Sequence, residues 1–406
     1  MDRDAADLPD PNAEYTMRDL SAGSMGLDSR DDRPTITDIQ TTVVDGTFPW
    51  TIVRVYTDDA AGTGEAYWGA GVPALIDRMR PFVVGECPLD IDRLVEHLIQ
   101  KMSGEGSIAG PTVTAIAGIE IALHDLAGRL IDVPAYQLLG GKYRDTVRVY
   151  CDAHAGEEGD PDSTAATADR LADRYDALKF DLDVPTGSDG DRANRHLRPA
   201  AIDRQAAIVE RVTERVGDRA QVAFDCHWSY TAESAQRLAA ACEQSDVWWL
   251  EDPVPPENHD VQRRVTRETS TPIAAGENVY RVHGHRRLIE EGAVDVIAPD
   301  VPKVGGMRET RQIADLADTY YIPVAFHNVA SPVGTMATAH VAAAVSNTLA
   351  VEFHSEDLDW WDELVEERVI VDGQIPVPDD PGLGVTVDRD VLAEHALSGE
   401  TLIDPV

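Results

Sequence analysis

From residue 34 the chain alternates apolar and polar positions in three runs, ITDIQTTVVDG, FPWTIVRVYTDD and GTGEAYWGAG, separated by Asp-Gly and Gly signals. Period-two alternation bounded by such residues predicts three antiparallel strands. The period then lengthens to that of a helix over 72–84, 88–102 and 111–131. Residues 34–146 therefore read as an α+β domain, preceded by a polar, turn-rich arm at 1–33. Beyond it the pattern changes again. Short apolar runs follow one another, beginning with TVRVYCDAH (146–154) and DALKFDLD (176–183). The later runs end at Asp225, Glu251, Glu277, Asp300, His327 and Glu352, at steps of 26, 26, 23, 27 and 25 residues. One such step holds a buried strand, a helix and two loops, so 147–375 reads as a run of βα units on a parallel sheet. A polar residue at the end of each strand suits an α/β fold of the (β/α)₈ barrel type, with its site at the C-terminal mouth. After Glu352 a helical stretch is expected, and then the Gly/Pro-rich QIPVPDDPGLGVTVD, so 376–406 reads as a return that packs on the first domain.

The strand ends bring chemistry with them. Asp225, Glu251 and Glu277 converging at one mouth would offer oxygen ligands to a hard divalent cation, most simply Mg²⁺. A single strand-end acid is more simply a cap for the following helix. Asp300 and His327 lie on the next two strand ends, where a carboxylate on one imidazole nitrogen would fix the tautomer and raise the basicity of the other. His227 stands two residues after Asp225, and Lys179 two before Asp181. Strand alternation would put each pair on one side.

Composition narrows the classes. The net charge of −38 over 406 residues excludes a general nucleic-acid or anionic-membrane binder, since both need a basic footprint. Only four of the 35 Lys and Arg residues are lysines, and an acidic, lysine-poor surface points to adaptation to high salt, where self-repulsion is screened. No run of 18 apolar residues occurs, and the N-terminus has neither the basic start nor the apolar core of a secretion signal. Four cysteines (Cys87, Cys151, Cys226, Cys242) at irregular spacing form neither a disulfide framework nor a zinc pattern. A reduced, cytoplasmic enzyme is the simple expectation.

The ordered set ALKFDLD, VAFDCHWS, WLEDPVPPEN, PIAAGEN, VIAPDVPKVGG, VAFHN and VEFH resembles the enolase superfamily in its mandelate-racemase-like branch, and within it the sugar-acid dehydratases. The resemblance covers nearly the whole chain, and with it the metal reading of the three acids outweighs the capping one. It implies Mg²⁺-dependent loss of water from an aldonate, with D-xylonate the leading substrate, giving a 2-keto-3-deoxy acid. It implies that His327 with Asp300 removes the C2 proton and that His227 protonates the departing C3 hydroxyl. Racemases of the branch carry Lys-x-Lys where this chain has Lys179, Phe180 and Asp181, so the second lysine is absent and elimination is favoured over racemisation. Lys179 is left between a substrate carboxylate, a ligand acid and a plain salt bridge. Asp181 is a candidate for substrate hydroxyls, and Glu352 matches a position that bonds the substrate carboxylate. Loops at 67–71 and 101–107 are expected to read the far end of the substrate. The insert 186–200, with Arg192, Arg195, His196 and Arg198, offers local positive charge for an anion or an oligomer contact. A homo-oligomer is expected by analogy. Another aldonate (gluconate, galactonate or arabinonate), an acid-sugar epimerase and a catalytically silent homologue remain as alternatives.

Overall fold

The computed structural model describes residues 33–154, 159–183 and 195–404. All but Arg33 of the arm expected at 1–33 lies outside these residues, as does Arg192. The three alternating runs form an antiparallel meander of β1 (Asp38–Asp45), β2 (Pro49–Tyr56) and β3 (Ala61–Ala66), with Asp38 opposite Tyr56 and Thr51 opposite Ala66. Helices Val72–Met79, Ile91–Lys101 and Pro111–Ile131 follow, close to the predicted spans. The last is buried along most of its length because it lies between the meander and the next domain. Glu120 on that helix accepts from the amides of Met307 at 2.8 Å and Arg308 at 2.9 Å, which ties the two domains together.

Eight parallel strands come next: β4 (Thr146–Asp152), β5 (Ala177–Asp181), β6 (Gln221–Asp225), β7 (Val247–Glu251), β8 (Ile273–Ala275), β9 (Val296–Ile297), β10 (Val324–Phe326) and β11 (Thr348–Phe353). Each pairs with the next, and β11 closes on β4 through Val351 and Val149, completing the barrel. The stretch after Glu352 holds one 3₁₀ turn, Trp361–Leu364, in place of the expected helix. Buried Trp361 and Leu364 anchor that turn, while the flanking SEDLD and EE leave no apolar stripe to extend it. The last strand, β12 (Gln374–Pro376), runs antiparallel along β4.

Beyond β12 the chain returns to the cap. Leu397 donates its amide to Val43 O at 2.9 Å, Thr42 donates its hydroxyl to Thr401 O at 2.8 Å, and Tyr56 its phenol to Asp404 O at 2.9 Å. Among the described residues no helix is long and apolar enough to cross a membrane.

The barrel interior carries a dry layer made of Tyr150, Ala177, Ala223, Trp249, Ala274, Val296, Ala325 and Ala350, one from each strand. Side chains of a strand alternate faces, so the residues two positions on point into the same lumen nearer the mouth. Those residues include Asp152, Lys179, Asp225, Glu251, His327 and Glu352. Small side chains below thus leave the lumen floor to two large rings, and six of the eight positions above are ionisable.

Candidate active site

Asp225, Glu251 and Glu277 are at most 4 % exposed and present ligand atoms within 4.8 Å of one another. Asp225 and Glu251 follow from strand alternation, but Glu277 is three residues past Ala274. Gly276, at φ +146°, resets the alternation so that Glu277 joins the cluster. Each acid is steadied by a donor. The Trp249 indole gives 2.8 Å to Glu251 Oε2, the His227 amide 2.8 Å to Asp225 Oδ1, and the Asn278 amide group 3.3 Å to Glu277 Oε1.

Lys179 stands in the middle of the acids. Its Nζ lies 2.8 Å from Glu352 Oε1, 3.0 Å from Asp225 Oδ2, 3.3 Å from Glu251 Oε1 and 3.6 Å from Asp152 Oδ2. Burial alone would favour a neutral amine; four carboxylates outweigh it and hold the ammonium charged. One cation does not balance so many acids. Burial, with Asp225, Glu352 and Glu277 adding repulsion and Lys179 relieving part of it, pushes the Glu251 carboxyl up to about 7. Burial likewise pushes Asp152 well up, whereas Lys179 and then His327 overcome burial to hold Glu352 below the usual range. Glu352 also accepts from the Asn328 amide at 3.0 Å and the Tyr150 phenol at 3.2 Å, so it is ionised and well paired. Three buried carboxylates in mutual repulsion, all oxygen donors, fit a divalent cation.

His327 Nδ1 lies 2.7 Å from Asp300 Oδ2, so Asp300 fixes the tautomer and leaves Nε2 facing the acids, 3.1 Å from Glu277 Oε2. Burial works against the imidazolium, but Glu277, Glu352 and Asp300 outweigh it and push His327 up to about 10. A cation shared by Glu277 would cancel the first of those attractions and return the ring toward the neutral form that a base needs.

His227 reaches the site by a different route from the one alternation predicts. Strand β6 ends at Asp225, and His227 and Trp228 follow with left-handed backbones at φ +40° and +57°. That turn brings His227 Nε2 to 3.7 Å from Asp225 Oδ2, while Nδ1 sits 2.9 Å from Asp183 Oδ1 and 3.9 Å from Asp181 Oδ1. A left-handed non-glycine pair is held by its surroundings: the Trp228 amide donates to Asp252 O at 2.7 Å, and the Arg195 guanidinium donates to Trp228 O. Burial opposes protonation of His227, yet Asp225, Asp183 and Asp181 together push it up to about 11, making it an imidazolium. Burial pushes Asp181 up to about 6, against the pull of His227.

The structure thus brings all nine predicted residues to one mouth. Asp152, Asp183, Tyr150 and Glu65 were not anticipated. Asp152 and Asp183 carried a signal, since each stands two residues from an inward-facing position (Asp183 from Asp181, Asp152 from Tyr150). The cap closes the mouth with Tyr67, whose ring centroid lies 6.2 Å from that of His327 and 4.3 Å from Lys303 Nζ, and with Trp68, stacked on Phe48 at 5.6 Å. Tyr67, Trp68, Trp228, Asn278, Glu277 and Lys303 border a cavity of about 260 Å³ there. Pro111 and Thr114 also line it, and none of 101–107 does, so the second Gly-rich loop stands back from this cavity. Of the insert's described residues, Arg195 supports the His227 turn, and His196 lies 3.3 Å from Glu233 Oε2.

A closed barrel under an α+β cap, with three acids and an Asp–His pair at successive strand ends, matches a known class. The chain belongs to the enolase superfamily, in its mandelate racemase/muconate lactonizing enzyme branch: residues 27–140 match the N-terminal domain of that branch and residues 163–391 the enolase C-terminal-domain-like family. Among individual proteins it is 64% identical over 408 residues to the D-xylonate dehydratase of Haloferax volcanii, with 98% of each chain covered. It is 30% identical to the D-gluconate dehydratase of Thermoproteus tenax, over 85% of this chain and 69% of that one. The crystal structure of a mandelate racemase/muconate lactonizing enzyme-like protein from Rubrobacter xylanophilus superimposes with a TM-score of 0.88 at 40% identity, covering 91% of this chain and all of that one.

Proposed function

We propose that this chain is a hydro-lyase that dehydrates an aldonate, D-xylonate foremost, to a 2-keto-3-deoxy acid. The D-xylonate dehydratase at 64% identity over 98% of both chains supports the substrate, since the gluconate and mannonate dehydratases stand near 30%. One geometric observation carries the reaction class: His327 stands against Glu277 at 3.1 Å and His227 against Asp225 at 3.7 Å, so two imidazoles flank one acid cluster.

Asp225, Glu251 and Glu277 would hold Mg²⁺, which supplies positive charge to a substrate carboxylate that gains electron density as C2 loses its proton. Lys179, charged and buried, fixes the positions of Asp225, Glu251 and Glu352. His327 Nε2 takes the C2 proton, with Asp300 holding the ring and stabilising the imidazolium. His227, already protonated beside Asp183, gives its proton to the C3 hydroxyl as the C3–O bond breaks, releasing water. The enol left on C2 takes a proton at C3 to become the keto acid, so substrate equals product plus water. Position 181 holds an aspartate, so no lysine stands there as a second base for 1,1-proton transfer. Asp181, 28% exposed and 3.9 Å from His227 Nδ1, would meet substrate hydroxyls.

The test is a panel of aldonates with Mg²⁺ in D₂O, following keto-acid formation and C2 exchange together. D-xylonate should give the keto acid. His327→Asn should lose both signals. His227→Asn should retain C2 exchange while product formation falls about 10²- to 10⁴-fold. Wild-type exchange without a keto acid would instead establish an epimerase, the runner-up reading.

A further inference from the structure

One buried acid of the cap has no part in the chemistry above. Glu65 on β3 is 1% exposed and makes no ion pair with Lys, Arg or His among the described residues. Instead both its oxygens accept from the Ser331 amide, at 3.1 and 3.2 Å, and Oε2 also accepts from the Ser331 hydroxyl and, at 3.0 Å, from the Gly334 amide. These groups form the start of helix Pro332–Ala344, which Ser331 caps. The residues just before that helix are His327, Asn328, Val329 and Ala330. The cap holds this loop a second time, through the Trp50 indole on Val329 O at 2.9 Å. Two residues after Glu65 on the same strand exit comes Tyr67, whose amide bonds Pro302 O at 3.0 Å and whose ring closes over His327.

We propose that Glu65 is a positioning residue for the base: its carboxylate ties the cap to the loop carrying His327, so one side chain sets both the seating of Tyr67 over the mouth and the aim of the imidazole. Three observations support this role. All of its hydrogen-bond donors belong to the Ser331–Gly334 turn. A Cβ at Gly334 would come within 2.6 Å of Ala330 Cβ and 2.9 Å of Glu65 Oε2, so only glycine lets the helix start sit this close to that oxygen. Burial without a cation pushes the carboxyl up to about 7, against the pull of the Ser331 and Gly334 donors, and an acid kept at such cost needs a use.

The proposal rests on His327 acting as the base, and the experiment separates the two ideas. Glu65→Gln keeps the shape but sets an amide NH₂ against the Ser331 amide even when its carbonyl takes the place of Oε2. For folded enzyme, kcat should fall about 10- to 100-fold with KM changed less than about threefold, as expected when a base is misplaced by a fraction of an ångström to an ångström. The C2-deuterium isotope effect on kcat should rise, and Glu65→Asp should recover part of the loss. Hydrogen exchange at the Asn328, Ser331 and Gly334 amides should quicken while Mg²⁺ affinity, measured calorimetrically, stays within about twofold. Should Glu65→Gln fail to fold, Ser331→Ala tests the same link and should show the same kcat-only loss, smaller in size. An unchanged kcat per folded molecule, or a loss confined to KM, overturns the proposal. If the wild type turns over no aldonate, the dehydratase reading falls, while the exchange measurement still decides whether Glu65 holds the loop.

Discussion

Replacing Lys179 by Met removes the ammonium that sits against Asp225, Glu251 and Glu352 while keeping the length of the side chain. At an effective dielectric near 20, a pair 3.0 Å apart, as Lys179 and Asp225 are, attracts with about 5.5 kcal/mol before desolvation is charged against it. Breaking a buried pair costs about 3–5 kcal/mol because the partner is left uncompensated. Here Asp225 and Glu352 lose their nearest cation together. In EDTA, urea unfolding should therefore show the variant less stable by about 3–5 kcal/mol. The same substitution removes a positive charge from beside Asp225 and Glu251, so Mg²⁺ should bind more tightly than to the wild type. Added at about 100 times its dissociation constant, Mg²⁺ should restore about 2.7 kcal/mol. Activity should not return with stability, because the ammonium that fixes Glu352 and Asp225 relative to each other is still missing. A variant matching the wild type in EDTA, or binding Mg²⁺ more weakly, would refute the view that Lys179 is the counter-charge of the ligand acids.

Two other measurements probe groups further out. Asp183→Asn removes an anion 2.9 Å from His227 Nδ1, so the ring, pushed up to about 11 in the wild type, should lose its proton at lower pH. The alkaline limb of kcat should then move down by about 1–3 units, and an unmoved limb would exclude Asp183 as the partner of the acid. His340 is buried and neutral, accepting from the Tyr136 amide and donating to Leu383 O, each at 3.1 Å, and burial pushes it down to about 4 from 6.5. Between those values the unfolded chain binds the extra proton, so this residue makes stability rise with pH from about 4 to 6.5, by about 3 kcal/mol. Unfolding of wild type and His340→Asn across that window should show the wild-type slope flattened in the variant; parallel curves would contradict the assignment.

The barrel and its ligand acids were legible because both signals are local: a short apolar run, an acid at its end and an even spacing. Alternation alone places Asp225, Glu251, Lys179 and Glu352 in the lumen, since each stands two residues beyond a member of the dry interior layer. It fails where the backbone leaves the strand. Glu277 needs the left-handed Gly276, and His227 arrives through two left-handed residues that no pattern of polar and apolar positions records. In the sequence Glu65 is one more letter of an alternating strand, because its partners lie 266 and 269 residues away. The helix expected after Glu352 shrank to a turn, as tertiary packing of two apolar side chains decided what propensity did not.

Residues 396–404 lie along β1, one of the two outer strands of the cap meander, where Val44 and Ala396 form an antiparallel bridge and the Ile403 amide reaches Thr42 at 2.9 Å. An unpaired outer strand invites another chain to add itself on. The tail therefore shields that edge, and clipping it at about Leu397 would bare a sticky ribbon. Loss of solubility would then come well before any change at the catalytic mouth.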